Sequence, residues 1–231
     1  MQIGVTLTQL LADLRSEIGF SSKVNVGVDA YDAHTTVLRR MQQTLYDEHK
    51  WPHLRVVSSV PLAAGQRFYD PPSDIGLDRI DRVVARDSTT RLWPVERGIG
   101  FEHYNARSED EREDPVRAWE LRWTGAAVQV EAWPTPATDE YVLWLEGTRK
   151  LGPLVDGDDV CSIDSVAIVL FSAAELLARQ EAQDAQNKLA LANRRLRFIK
   201  ANLAGPERMS TFGGSRGGLP RGVQVISSIR G

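Results

Sequence analysis

Residues 119–132 of the chain read WELRWTGAAVQVEA, and the pattern in this stretch decides how the middle of the protein folds. Apolar residues occupy every second position from Trp119 to Trp123, and after a turn at Thr124-Gly125 the alternation resumes with Val128, Val130 and Ala132. Successive side chains of a strand point to opposite faces of a sheet. The stretch therefore predicts a β-hairpin with one buried face and one solvent-exposed face. Glu131 falls on the solvent-exposed face.

Extended segments are predicted on both sides of this hairpin. Two further hairpins are expected, residues 55–62 with 67–69 and residues 80–86 with 91–95. The run 141–145 is apolar without alternation, which is typical of an inner strand. Residues 100–106 are predicted to form a short helix between the hairpins.

Helical periodicity dominates the two ends of the chain. A leucine-rich face over residues 7–18 predicts a first helix. A second helix is predicted over residues 32–50, ended by Pro52 because proline cannot continue the hydrogen-bond ladder.

A third, long helix is predicted over residues 164–203. Its second half carries a narrow stripe whose spacings alternate between four and three, the pattern of helix-on-helix packing. Because so long a helix exceeds what one globule of this size needs, the stripe is predicted to pack on another subunit. Its members are Ala178, Ala182, Ala185, Leu189, Ala192, Leu196 and Ile199.

The predicted fold class is α+β: a helical bundle of two N-terminal helices and one long C-terminal helix, with an inserted antiparallel β domain and an extended C-terminal arm. The expected boundaries are 1–53 with 160–204 for the helical domain, 54–159 for the β-rich domain and 205–231 for the arm. Glycine and proline are frequent after residue 204, and the arm has few apolar residues to bury.

Charge is distributed unevenly along the chain. The segment from residue 188 onward has nine basic residues and one acid, Glu207, so it carries +8; the net charge of −3 then leaves −11 for residues 1–187. An acidic body with a basic tail predicts a tail that docks elsewhere, on acidic protein or on nucleic acid.

No set of residues in the sequence predicts a catalytic or metal site. His49 and His53 are four residues apart, but Pro52 lies between them and no general-base glutamate accompanies them. The acidic run 156–159 lacks the glutamate of a calcium-binding loop. The single cysteine, Cys161, is expected to be a small buried residue. No enzyme activity, cofactor or membrane span is therefore predicted.

Five short runs of residues resemble the head-to-tail adaptor, or connector, proteins of tailed bacteriophages, which include tail tubular and tail accessory proteins. They are WPHLR at 51–55, VPLAAGQ at 60–66, YDPPSD at 69–74, LDRI at 77–80 and LWPV at 92–95. The resemblance covers about residues 8–104. The chain departs from the family pattern at Asp70-Pro71-Pro72, where Leu-Pro is usual, and its acidic loop 108–114 matches no family pattern.

The resemblance implies a structural virion protein of the phage neck, assembled in the host bacterial cytoplasm. It would form a dodecameric ring that binds the portal protein, meets a tail or nozzle protein, and lets DNA pass through its lumen without specific binding. Trp51, Pro52, Gly65 and Tyr69 would be structural. The arm would bind the portal through Arg208, Arg216, Arg221, Val223, Val225 and Ile226.

Two other functions remain open on the sequence alone. The basic tail could make the chain a DNA-binding protein, whose binding would weaken with salt. The chain could also be an enzyme, which would require a pocket with converging polar groups.

Overall fold

A computed structural model of the protein describes residues 1–19, 28–105 and 112–203. The helices of this part are α1 (Leu7–Glu17), α2 (Val28–Glu48), α3 (Phe101–Asn105), α4 (Ser165–Arg179) and α5 (Ala185–Leu203). The strands are β1 (Arg55–Pro61), β2 (Phe68–Tyr69), β3 (Ile75–Arg86), β4 (Leu92–Arg97), β5 (Ala118–Trp123), β6 (Val128–Trp133) and β7 (Val142–Arg149). A short 3₁₀ turn, Pro52–Leu54, joins α2 to β1.

The strands form one seven-stranded sheet in the order β1-β7-β3-β4-β5-β6-β2. Neighbours are antiparallel except β4 and β5, which are parallel. The sheet curls. Its two edge strands are joined by residues 62–67, whose tight turn is closed by the hydrogen bond from Gln66 N to Ala63 O at 3.1 Å. Such a turn cannot cross the roughly 29 Å that would separate the edges of a flat sheet of this size.

Curling gives the sheet an interior of its own. Side chains from every strand meet in one cluster, among them Val60, Tyr69, Val83, Val130 and Leu145. A second cluster lies among the helices, where α4 packs against α1, α2 and α5. The expected division after residue 53 and before residue 160 stays a prediction.

The predicted single long helix is wrong. It is two helices, α4 and α5, because the chain reverses between them and α5 returns along α4. The reversal begins at Gln180, the C-cap of α4, and passes through Glu181, which has a φ of +55°. The apolar stripe runs through the break, so periodicity alone gave no signal of it.

The predicted bundle with an inserted antiparallel β domain is also wrong. The sheet is mixed because β4 pairs in parallel with β5, and helix α3 is interleaved between these two strands. The hairpins at 80–86/91–95 and 119–123/128–132 are confirmed. The hairpin expected between 55–62 and 67–69 is not formed, since β1 pairs with β7 and β2 with β6.

The left-handed backbone at Glu181 makes the turn between α4 and α5 testable. A non-glycine residue in this region costs about 1 kcal/mol, which glycine avoids. Glu181→Gly is therefore expected to leave the free energy of unfolding unchanged or raise it by up to about 1 kcal/mol. Gln180→Gly, at a φ of −92°, is the matched control and should lower it by about 0.5–1 kcal/mol. Urea unfolding measures the free energy of unfolding of both variants. If Glu181→Gly and Gln180→Gly lost the same stability, the left-handed conformation at Glu181 would be contradicted.

Candidate interaction surfaces

The stripe predicted to pack on another subunit is divided between the core and the surface. Four members are buried within this chain: Ala185, Ala192, Leu196 and Ile199. Ala178 and Leu189 are exposed, and Ala182 is half-buried. The buried members face α4 and the helical cluster because α5 folds back. The use of the stripe between subunits stays a prediction.

A buried carboxylate holds α5 in this position. Asp164 is completely buried and is the N-cap of α4, where it accepts from Ala167 N at 3.0 Å. It also accepts from Gln2 N at 2.8 Å. Arg195 of α5 binds it with two parallel bonds, Nε to Oδ1 at 3.1 Å and Nη2 to Oδ2 at 2.8 Å. One side chain thus joins the N-terminal segment, the start of α4 and the middle of α5.

These donors determine the protonation of Asp164. Burial by itself would raise the pKa of its carboxyl, but the hydrogen bonds from Arg195, Gln2 and Ala167 outweigh burial and hold the pKa below its ordinary value. The carboxylate form is therefore stabilised in the folded protein.

The Trp-Pro motif joins the helices to the sheet. The Trp51 side chain is buried, its Nε1 donates to Leu45 O at 3.0 Å, and its ring meets the edges of His49 and His53. His53 Nε2 in turn lies 3.0 Å from the carbonyl oxygen of Ser162, just before α4. Pro52 begins the 3₁₀ turn that leads into β1.

Gly65 and Tyr69 build the turn between β1 and β2. The buried Tyr69 hydroxyl accepts from Ala63 N at 3.2 Å and donates to Gln66 O at 2.7 Å. Burial raises the pKa of Tyr69. Gly65 has a φ of +77°, and a Cβ there would lie 2.8 Å from the Arg112 guanidinium. Gly65 thus lies in this turn and the Tyr69 hydroxyl contacts it, and the structural role expected of both residues stays a prediction.

A buried charged cluster was missed by the sequence reading, which placed Glu131 on a wet face. Glu131 is buried and accepts from Arg67 Nε at 2.8 Å, Arg122 Nε at 2.8 Å and the Tyr104 hydroxyl at 2.7 Å. Burial would raise the pKa of Glu131, but these three donors lower it below its ordinary value. Alternation cannot distinguish a solvated glutamate from one that is buried with its partners.

The histidine, acidic and cysteine side chains of the described residues give no metal site. Within the described residues, no group of three or more His, Cys, Asp or Glu side chains could hold a metal ion. Cys161 is buried, and burial raises the pKa of its thiol. Across residues 1–19, 28–105 and 112–203, no helix has both the length and the apolar character of a membrane span.

Two apolar surfaces remain uncovered by the described part of the chain. On α5, Leu191 and Phe198 are exposed seven residues apart, on the same flank as Arg195. On the outer face of the sheet, Val57, Leu92 and the half-buried Trp144 surround a concavity of about 470 Å³. Large exposed apolar patches mark interaction sites. The described part of the chain therefore has two main core clusters, one among the helices and one inside the curled sheet, and it leaves these apolar side chains exposed.

Among the models of known protein families, that of the SU10 adaptor proteins matches residues 5–212 of the chain. The chain belongs to the SU10 adaptor protein family. This is a family of phage head-to-tail adaptors, so the chain is a structural adaptor protein of a bacteriophage and its place is the virion neck. The chain matches no curated protein.

The portal-binding residues expected of this SU10 adaptor protein lie outside the described residues. They are Arg208, Arg216, Arg221, Val223, Val225 and Ile226. The family match ends at residue 212 and includes only the first of them. Their role in this adaptor stays a prediction.

Trp51 is expected to contribute more to the stability of the adaptor than any exposed tryptophan. Trp51→Ala removes a side chain that is 3% exposed and should lower the free energy of unfolding by about 3–5 kcal/mol. Trp123, which is 68% exposed, is the matched control, and Trp123→Ala should change it by about 0.5 kcal/mol or less. Thermal and urea unfolding measure both. Similar losses of stability in the two variants would show that Trp51 does not stabilise the connection between the helices and the sheet.

Asp164 is expected to make stability depend on pH. Because its pKa is lowered in the folded state, it stabilises the protein above its unfolded-state pKa of about 4, and this contribution is lost as the pH falls through the folded-state pKa. At pH 7, Asp164→Asn leaves Arg195 without its carboxylate and should cost about 3–5 kcal/mol.

Urea unfolding at pH 7 and at about pH 3 measures the difference in the free energy of unfolding between the wild type and Asp164→Asn. This difference should be smaller at pH 3, because protonation of Asp164 removes its stabilising contribution from the wild type. The exposed Asp158→Asn is the matched control and should follow the wild type at both pH values. A difference between wild type and Asp164→Asn that stays constant with pH would contradict the assignment.

Proposed function

We propose that the adaptor forms a dodecameric ring that binds the portal protein on one side and a tail or nozzle protein on the other, around the DNA channel. The observation that carries the proposal is the family match over residues 5–212. In a ring each copy presents two different surfaces to its two neighbours, so no surface is left without a partner.

The uncovered surfaces support an assembled state. Leu191 and Phe198 on α5 and the concavity around Trp144 expose apolar area that a lone copy leaves in water. Monomeric proteins rarely expose contiguous apolar patches of large size. Contacts with neighbouring copies or with portal and tail proteins would remove this area from water.

We assign portal binding to the arm, residues 205–231. Its arginines can meet acidic groups of a partner, and Val223, Val225 and Ile226 can add a strand to a partner's sheet edge. We expect one arm by itself to bind weakly, because its sequence is rich in glycine and has few apolar residues that could make contacts. Several arms engaging one portal ring bind tightly because each later contact is intramolecular.

The charge distribution is compatible with DNA transit. Residues 1–187 carry a net charge of −11 on the sequence count. An acidic lumen repels the phosphate backbone and lets DNA slide without being bound. The role proposed here is structural, without catalysis, because adaptors of this family connect the two parts of a virion.

The arm assignment is tested with tailless heads that carry the portal. Deleting residues 205–231 should leave the melting temperature unchanged and abolish binding to these heads, because the described core clusters are formed by residues that precede the arm. The measurement is co-sedimentation of the protein with heads emptied of DNA, since binding to packaged DNA would otherwise imitate portal binding.

A triple change of Arg208, Arg216 and Arg221 to Ser should weaken the binding strongly. The matched control changes Ser215, Ser227 and Ser228 to Ala and should bind normally. Full binding of the truncated protein to empty heads would show that another surface docks on the portal. Loss of binding only on heads that contain DNA would support DNA contact by the arm.

A further inference from the structure

The outer face of the sheet carries an ordered apolar groove. The strand registers place Val57 beside Glu146, Trp144 beside Val84, and Arg86 beside Leu92, so these side chains form adjacent rows on one face. Val57 is 50% exposed and Leu92 is 60% exposed. The groove between them has a volume of about 470 Å³.

The rim of the groove is positively charged. Arg82 and Arg86 both line it, and the Arg86 guanidinium lies 5.3 Å from the Trp144 ring centroid. Its one acidic lining residue, Glu146, is paired with Arg55. An occupant that suits this groove carries small apolar side chains together with carboxylates.

The loop before α4 has this chemistry. Val155 is 57% exposed, Val160 is exposed as well, and the exposed carboxylates of Asp156 and Asp158 lie between them. Within the described ranges of the chain, neither the loop nor the groove is covered.

Hydrogen bonds hold the loop in one shape. The Asp159 carboxylate accepts from Val155 N at 2.7 Å and Asp156 N at 2.8 Å, and these bonds lower the pKa of Asp159. Its backbone carbonyl accepts from Leu7 N at 2.8 Å, at the start of α1. A loop fixed in this way loses little conformational freedom on binding, which favours affinity.

We propose that the loop 155–160 of one copy occupies the groove of the next copy, with its valines against Trp144 and its carboxylates against Arg82 and Arg86. The two surfaces belong to different parts of the chain, so the contact is head-to-tail and can repeat around a ring. The inference rests on the proposed ring and assigns its subunit interface.

Disulfide cross-linking tests the contact directly. Cys161 is buried and the chain has no other cysteine, so engineered thiols have no native competitor at the surface. The Val57→Cys/Val155→Cys double variant, bound to portal-bearing heads and mildly oxidised, is expected to give a ladder of species beyond the dimer. Each copy then carries both halves of the contact. Either single variant should give dimers at most.

The matched control is the Trp123→Cys/Val155→Cys double variant, which pairs the loop with an exposed residue away from the groove. It should give no ladder beyond the dimer. A second experiment tests the charges. Adding Arg82→Glu to the Val57→Cys/Val155→Cys variant should abolish the ladder. Adding Asp158→Arg to the resulting triple variant should restore it.

The outcomes separate the interface from the adaptor role. Heads that carry the protein but yield no ladder, or a ladder no stronger than the control, would overturn the interface and leave the adaptor role standing. A ladder in free protein that does not bind heads would support the interface and contradict portal binding. If Arg82→Glu weakens attachment to heads and no ladder forms, the groove binds another neck protein, and the proposal is overturned.

Discussion

The arrangement of the helices depends on one buried carboxylate, that of Asp164. It is withdrawn from water completely, so it must be paired, and its four hydrogen bonds come from three separate parts of the chain. The two bonds from Arg195 fix α5 along α4, and the bond from Gln2 fixes the segment that leads into α1. Because a two-bond pair between a guanidinium and a carboxylate constrains the geometry of both groups, this contact also favours one register between α4 and α5.

The proposed assembly depends on what this arrangement leaves exposed. By folding back, α5 buries Ala192, Leu196 and Ile199 within the chain, and it leaves Leu191 and Phe198 outside. The sheet is organised in the same way: curling buries one face around Leu145 and leaves the opposite face, with Trp144, open. The same strands therefore provide both the core of the β part and the groove proposed to receive a neighbouring copy.

Local features of the structure could be predicted from the sequence, whereas long-range pairing could not. The leucine spacing in α1 and the alternation in β5 and β6 are consequences of helix and strand geometry, and all three elements are where they were expected. The break at Gln180 interrupts no periodicity, and nothing in the sequence of β1 shows that its partner is β7. The position of Glu131 was mistaken because its burial depends on Arg67, which is distant in sequence. The apolar run 141–145 was expected to form an inner strand, and β7 does lie between β1 and β3, but the Trp144 side chain is only half-buried because it lies on the outer face of the sheet.

Electron cryomicroscopy of portal-bearing, tailless heads with the bound protein tests the adaptor ring most directly. The account predicts a closed ring of this chain at the portal, with α4 and α5 paired in every copy and a continuous channel through the centre. Heads that show no density for the protein at the portal, or isolated copies without ring closure, would contradict it.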